Sequence, residues 1–163
     1  MLISEKINRA FNEQIGHELG NYHQYLAIAS YFESESLFGL AKLYFQQAEE
    51  EREHAMKFLK FVLEAGGKVA IPAVPAPRCE IESPVDGAEL ALEVEMRTTR
   101  EIYDLVELAT AEKNYIALNF LQWFLSEQLE EVSSAENRLA VIRRAGASVL
   151  MVEAYLAHEE KDQ

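Results

Sequence analysis

Apolar and polar positions alternate with a helical period along almost the whole chain. Between residues 5 and 34, Ile7, Phe11, Ile15, Glu18, Tyr22, Tyr25, Ala29 and Phe32 fall three or four apart, the spacing of one helix face turned to a core. The same spacing gives Leu40, Tyr44, Gln47, Glu51, His54, Phe58, Phe61 and Ala65 in a second stretch. A third holds Leu92, Glu95, Thr99, Ile102, Val106 and Ala109, and a fourth Ala117, Leu121, Phe124, Gln128, Glu131 and Ala135. The pattern predicts helices over about 5–34, 37–65, 87–112 and 114–145, with a short fifth over about 147–159. Local punctuation agrees. Ser4 is placed to cap the first helix, Gly66-Gly67 ends the second, Asp86 and Glu89 have capping-box spacing, and Gly146 closes the fourth. Gly16 and Gly20 weaken the first helix slightly.

One connection is long. Residues 66–86 contain Gly66, Gly67, Pro72, Pro75, Pro77 and Pro84, and each proline blocks helix and extends the residue before it. A linker of this length spans roughly 60 Å, more than the helix before it, which is about 45 Å long. It can therefore run the length of a bundle and let helices two and three point the same way. The other links are short and suit antiparallel neighbours. The expected fold is all-α: one domain, 1–163, formed by a four-helix bundle with one long crossover and a short fifth helix. Ile71, Val74, Ile81 and Val85 mark a linker that packs, not a tether between two αα-hairpin domains.

Each core stripe is broken by a carboxylate: Glu18, Glu51, Glu95 and Glu131. The second is also broken by His54. A single Glu in such a stripe is ordinarily a surface residue out of phase, and a single His a satisfied core residue. Four breaks, one per helix and mostly near mid-helix, are a different matter. Buried together they cost several kcal/mol each or take up protons, and no Lys or Arg shares their level. Two divalent cations would balance four carboxylates, and hard oxygen ligands with one imidazole suit iron, manganese or zinc. Carboxylate bridging with few nitrogen ligands points to iron and dioxygen.

Composition narrows the partners. The chain carries 28 acids against 15 bases over 163 residues, a net charge of −13. That excludes phosphate-neutralising binding to nucleic acid and favours cations. The single Cys79 allows no internal disulfide and no Cys-x-x-Cys site. No segment reaches the ~20 apolar residues of a membrane span, and Met1–Lys6 has no basic, apolar leader, so a cytoplasmic location is expected.

At these residues the chain resembles the bacterial non-haem ferritins. The resemblance lies in Glu18, Tyr25, Glu51-Arg52-Glu53-His54, Glu95 and the run from Asn119 to Gln128, and it extends over nearly the whole chain. It implies iron storage with Fe(II) oxidation by dioxygen or peroxide, inside a homo-oligomeric shell of 24 subunits. By the same resemblance one iron is held by Glu18, Glu51 and His54, and the second by Glu51 as a bridge, Glu95 and Glu131. Gln128 lines the centre, with Tyr25 and Trp123 close by. A third, weaker iron site is implied at Glu50, Glu127 and Glu130.

Departures from neighbouring families matter as well. The fourth helix reads Gln128-Leu129-Glu130-Glu131 where bacterioferritin carries a second Glu-x-x-His. Arg52 stands where bacterioferritin places a haem-binding methionine, so no haem is expected. The module that rubrerythrin requires is missing, and the DNA-coating miniferritins lack the fifth helix. The alternative is a di-iron oxidase or oxygenase acting on an organic substrate, which shares the bundle. Assembly separates the two.

Overall fold

A computed structural model describes residues 1–159; the last four positions of the expected domain, 160–163, lie outside the described residues. Among the described residues the elements are five helices: α1 (Glu5–Ser34), α2 (Phe38–Glu64), α3 (Pro84–Ala111), α4 (Tyr115–Ala145) and α5 (Leu150–Glu159). None is long and apolar enough to cross a membrane. Ser4 Oγ accepts from Ile7 N at the start of α1, and Asn114 Oδ1 accepts from Ala117 N at the start of α4. Gly66 and Gly146 take positive φ just beyond α2 and α4.

Two boundaries differ from expectation. The cap of α3 is Ser83, whose hydroxyl accepts from Asp86 N at 3.1 Å, so the helix starts at Pro84 and not near Asp86. Proline fits the first helical position because its missing N–H is an orphan there anyway. Asp86 instead folds back to accept from Glu82 N at 2.9 Å. The fifth helix starts at Leu150 because the residues before it form a turn, with Ser148 N on Ala145 O and Met151 N on Ser148 O.

Helix direction follows from contacts at one end. Leu2 N donates to Ala65 O at 2.7 Å, Asn114 Nδ2 donates to Leu2 O at 2.9 Å, and Ser4 Oγ donates to Glu112 Oε2. The starts of α1 and α4 therefore meet the ends of α2 and α3, and α2 and α3 run parallel. The crossover that allows this lies along α1. Asn8 and Asn12 hold Lys68 and Ala70, and Gln24 exchanges two hydrogen bonds with the backbone of Arg78. At Gly16 it passes so close that a Cβ there would run into Pro72. Ile81 and Val85 pack on the core, Val74 is half-buried, and Ile71, expected to pack, is exposed.

The helix α5 is fastened at the opposite end. Leu37 caps α2 with backbone only, leaving its first N–H groups without a partner from the capping side chain. The Glu153 carboxylate accepts from Gly39 N at 2.6 Å and Leu40 N at 3.0 Å, an anion on a helix N-terminus.

The core falls into two apolar clusters with a polar layer between them. One gathers Tyr25, Phe32, Leu40, Tyr44, Leu90 and Ile142, among others; the second gathers Ile7, Phe11, Phe58, Ile102, Leu121 and Phe124. The α4 stripe is buried as expected, but Tyr22 and Phe61 are only half-buried. In α3 the buried face runs through Ala91, Glu95, Thr98, Ile102, Leu105 and Ala109, so Leu92, Thr99 and Val106 sit at its margin.

The contacts of the two mid-helix glycines predict opposite outcomes. Gly16→Ala should destabilise the protein by about 1–3 kcal/mol, the ordinary cost of overpacking. Gly20→Ala, whose Cβ would meet Val74 at an ordinary 3.7 Å, should stabilise by up to about 1 kcal/mol through helix propensity. Chemical denaturation of both variants checks the pair.

Candidate metal centre

Each helix of the bundle delivers one carboxylate to the polar layer because each core stripe passes through it at mid-bundle. Glu18 and Glu95 are 0% exposed, Glu51 1%, His54 3% and Glu131 6%. Ligand atoms of Glu18, Glu51 and His54 lie within 4.8 Å of one another, and those of His54, Glu127 and Glu131 do the same. His54 Nδ1 is 3.9 Å from Glu18 Oε2 and 3.7 Å from Glu51 Oε1, while its Nε2 is 3.7 Å from Glu127 Oε1. One imidazole therefore borders both groups.

Every one of the four carboxylates receives a side-chain amide. Gln14 donates to Glu18 Oε1 at 2.8 Å, and Asn21 to Glu51 Oε2 at 3.0 Å. Gln128 donates to Glu95 Oε2 at 3.2 Å, and Gln47 to Glu131 Oε2 at 2.7 Å. The Tyr25 hydroxyl donates to the other oxygen of Glu95. Two oxygens receive no amide or phenol: Glu18 Oε2 and Glu51 Oε1 are buried and both face His54 Nδ1, and without metal their two carboxyl groups have only a shared proton to hydrogen-bond through. A bare carboxylate oxygen in a dry core carries a large desolvation cost. A cation bound between these two oxygens and the imidazole removes it.

Sequence reasoning puts Glu18, Glu51 and His54 together, and the structure brings them together. Glu95 and Glu131 belong to the same layer: both raise the pKa of Glu51, and Glu95 raises that of Glu131. Their hydrogen bonds, however, run to Tyr25, Gln128 and Gln47. Glu127 is half-buried beside His54 and Glu131, whereas Glu50 and Glu130 are exposed near it. Trp123 stands edge-on to His54, centroids 5.4 Å apart, and Lys57 Nζ lies over the Trp123 ring, 4.4 Å from its centroid.

Gln14 and Asn21 escape a reading of the sequence that follows apolar positions. Their signal is a second stripe on α1, Gln14, Glu18, Asn21 and Tyr25, at the same three-and-four spacing.

Burial governs the protonation of the layer. Desolvation pushes Glu18 up to about 7 against the Gln14 hydrogen bond, and Glu131 up to about 8, from an ordinary value of 4.5. Desolvation, with Glu95 and Glu18 nearby, raises Glu51 well above the usual carboxylate range, and desolvation raises Glu95 as well. Burial, then Lys57, lowers His54 to about 4, so its imidazole is neutral and has a lone pair to give near neutrality.

The surroundings of this layer are shared with known proteins. A family profile described as ferritin-like domain matches residues 8–145. The bacterial non-heme ferritin of Staphylococcus haemolyticus is 36% identical over 145 residues, covering 89% of this chain and 87% of that protein. Its counterpart in Staphylococcus aureus (strain USA300) matches equally. Among solved structures, the open pore ferritin of the hyperthermophilic archaeon Archaeoglobus fulgidus superposes with a TM-score of 0.91 at 40% identity, covering 95% of this chain and 96% of that one.

The raised carboxylates set a pH dependence. A carboxylate whose folded pKa exceeds its unfolded value stabilises the fold fully below about 4.5, and the benefit is lost as pH rises through about 7 to 8. His54 acts oppositely between its ordinary 6.5 and about 4. The metal-free protein should therefore melt at lower temperature as pH is raised from about 6 to about 8.5. Saturating Zn(II) should reverse that slope, because metal binds the deprotonated ligands. Glu51→Gln should raise the metal-free melting temperature and remove most of the Zn(II) effect. Melting curves across this range check all three; a metal-free midpoint that climbs over the same interval would contradict the assignment.

Proposed function

The chain belongs to the ferritin family, and from that premise we propose that it stores iron, oxidising Fe(II) at the carboxylate layer and holding the ferric product inside a 24-subunit shell. The observation that carries the reading is the pair of oxygens that no amide or phenol serves, Glu18 Oε2 and Glu51 Oε1, buried and turned to a neutral His54. Iron is the substrate here. In this reading Glu18, Glu51 and His54 hold one Fe(II). Glu51, as a bridge, together with Glu95 and Glu131 holds the second, exchanging amide and phenol hydrogen bonds for metal.

Holding two Fe(II) in one layer supplies a pair of electrons at once, which is what dioxygen requires. Two Fe(II) give two electrons; dioxygen with two protons leaves as hydrogen peroxide, or peroxide with two protons leaves as two waters. Oxidation adds two positive charges to a layer whose carboxylates balance only two divalent cations. The ferric product is thereby less well matched, and Glu127, with exposed Glu50 and Glu130 beyond it, offers an acidic route outward. Those three residues form the proposed third iron site. No haem is assigned, since Arg52 is exposed and paired with Glu49.

The shell rests on the family and on α5. Leu150, Met151 and Tyr155 are exposed on that helix, while Val152 is buried against the bundle and Glu153 fastens it to α2.

Stopped-flow absorbance should show a rapid ferroxidation phase saturating near two irons per subunit, then slower mineral growth. His54→Ala and Glu131→Ala should each slow the rapid phase by at least about a hundredfold, as expected where proximity is lost, yet leave slow mineralisation. Glu130→Ala should spare the first turnover and change later ones. An undiminished rapid phase in His54→Ala would move the centre elsewhere.

Size-exclusion chromatography with light scattering, before and after iron loading, should give a cage. Truncation after Gly146 should weaken assembly or mineral retention while the four-helix core stays folded. A chain that remains monomeric or dimeric would count against storage and favour the alternative, a di-iron oxidase or oxygenase acting on an organic substrate.

A further inference from the structure

The amides on Glu18 and Glu51 are themselves held from one place. Gln14 Oε1 lies 3.4 Å from Nδ1 of His17, and Asn21 Oδ1 accepts from Arg97 Nη2 at 2.9 Å. His17 Nδ1 and Arg97 Nε both face the Glu101 carboxylate on α3, at 3.4 Å and 3.6 Å. The guanidinium uses different nitrogens for Asn21 and for Glu101, so it holds both at once. His17, Arg97 and Glu101 line a groove of about 450 Å³ beneath the crossover, beside Gly16 and Gly20.

Asn21 has no freedom to turn. Its amide nitrogen donates to Glu51 Oε2 at 3.0 Å and to Thr98 Oγ1 at 2.9 Å. The Thr98 hydroxyl donates to Val94 O at 3.0 Å, which leaves its lone pair for Asn21. A flipped amide would set its oxygen against a carboxylate and its N–H groups against the guanidinium. The orientation is thus fixed by three partners.

We infer that His17, Arg97 and Glu101 are positioning residues for the metal centre: acting through Gln14 and Asn21, they pin one oxygen of Glu18 and one of Glu51 and leave the other of each turned to His54. The inference rests on the reading of the polar layer as a metal centre. Its physical content is pre-organisation. Groups that orient metal ligands without touching the metal are worth about tenfold to a hundredfold in affinity. Arg97 is half-exposed, and its hydrogen bond toward the layer is the one to Asn21, beside a weaker charge effect on Glu95, so its replacement leaves the core intact.

The test uses the full chain with Co(II) as the probe, read by its visible absorption and by titration, alongside metal-free melting curves. Arg97→Gln and Asn21→Ala should each weaken Co(II) binding by about tenfold to a hundredfold, with Arg97→Gln melting close to wild type. The double variant should lose clearly less than the two single losses combined, because both act mainly through one contact. Arg97→Lys, which keeps the charge and a donor, should recover part of the loss. Wild-type Co(II) affinity in Arg97→Gln, or additive losses in the double variant, would overturn the inference while the metal-centre reading stands. Wild-type protein that binds no Co(II) would overturn both. Should Asn21→Ala fail to fold, Arg97→Gln decides alone.

Discussion

Taking four carboxylates out of water is the constraint on which the rest of this structure depends. An uncompensated buried ion costs several kcal/mol, and a fold of this size nets only about 5–15 kcal/mol. Four bare charges would therefore exceed the stability of the chain. Two responses are visible in the molecule, and the proposed function supplies a third. The carboxylates hold protons to unusually high pH, so in the absence of metal part of the charge is never formed. Each accepts from an amide, which favours the charged form without adding charge. The two oxygens that no amide reaches, on Glu18 and Glu51, are the pair turned to His54, and they lose their proton as pH rises. In the proposed function a bound cation is the third response, and the one that gives the layer a use.

The architecture follows from meeting that constraint at a single depth. Because the four carboxylates come from four helices, the layer forms only if the helices align at mid-length, with apolar clusters sealing it above and below. The crossover makes α2 and α3 parallel and so sets the alignment. Its route along α1 depends on the absence of a side chain at Gly16 and on the asparagine and glutamine side chains that hold its backbone. At the far end, Glu153 of α5 completes the N-terminus of α2, the helix that supplies both Glu51 and His54. Elements distant from the layer thus fix the helix that contributes most to it.

Much of this is legible in the sequence, for identifiable reasons. Helix identity and the long crossover can be read because period and proline carry them directly. Glu18, Glu51, Glu95, His54 and Glu131 stand out because each interrupts an apolar stripe. The cap at Ser83 is harder to see, because Pro84 looks like a break although proline suits the first helical turn. Ile71 misleads because apolar residues in a linker suggest contact, yet the crossover backbone is held by polar side chains and leaves it outside. The positioning groups are hidden for a different reason. Gln14 and Asn21 belong to the core face, but Arg97 and Glu101 look like surface charges on α3, and only the packing of α1 against α3 joins them. Spacing reveals what shares a helix; it does not reveal which charges two helices share.

The central claim is that the polar layer exists to hold metal in place of protons. It is tested most directly by titrating the metal-free protein with Zn(II) near neutral pH in unbuffered solution, counting bound metal and released protons together. Carboxylates raised to about 7 and about 8 are partly protonated there, so binding should saturate at about two metals per chain with measurable proton release. Weak, unsaturable binding with no protons released would contradict the account.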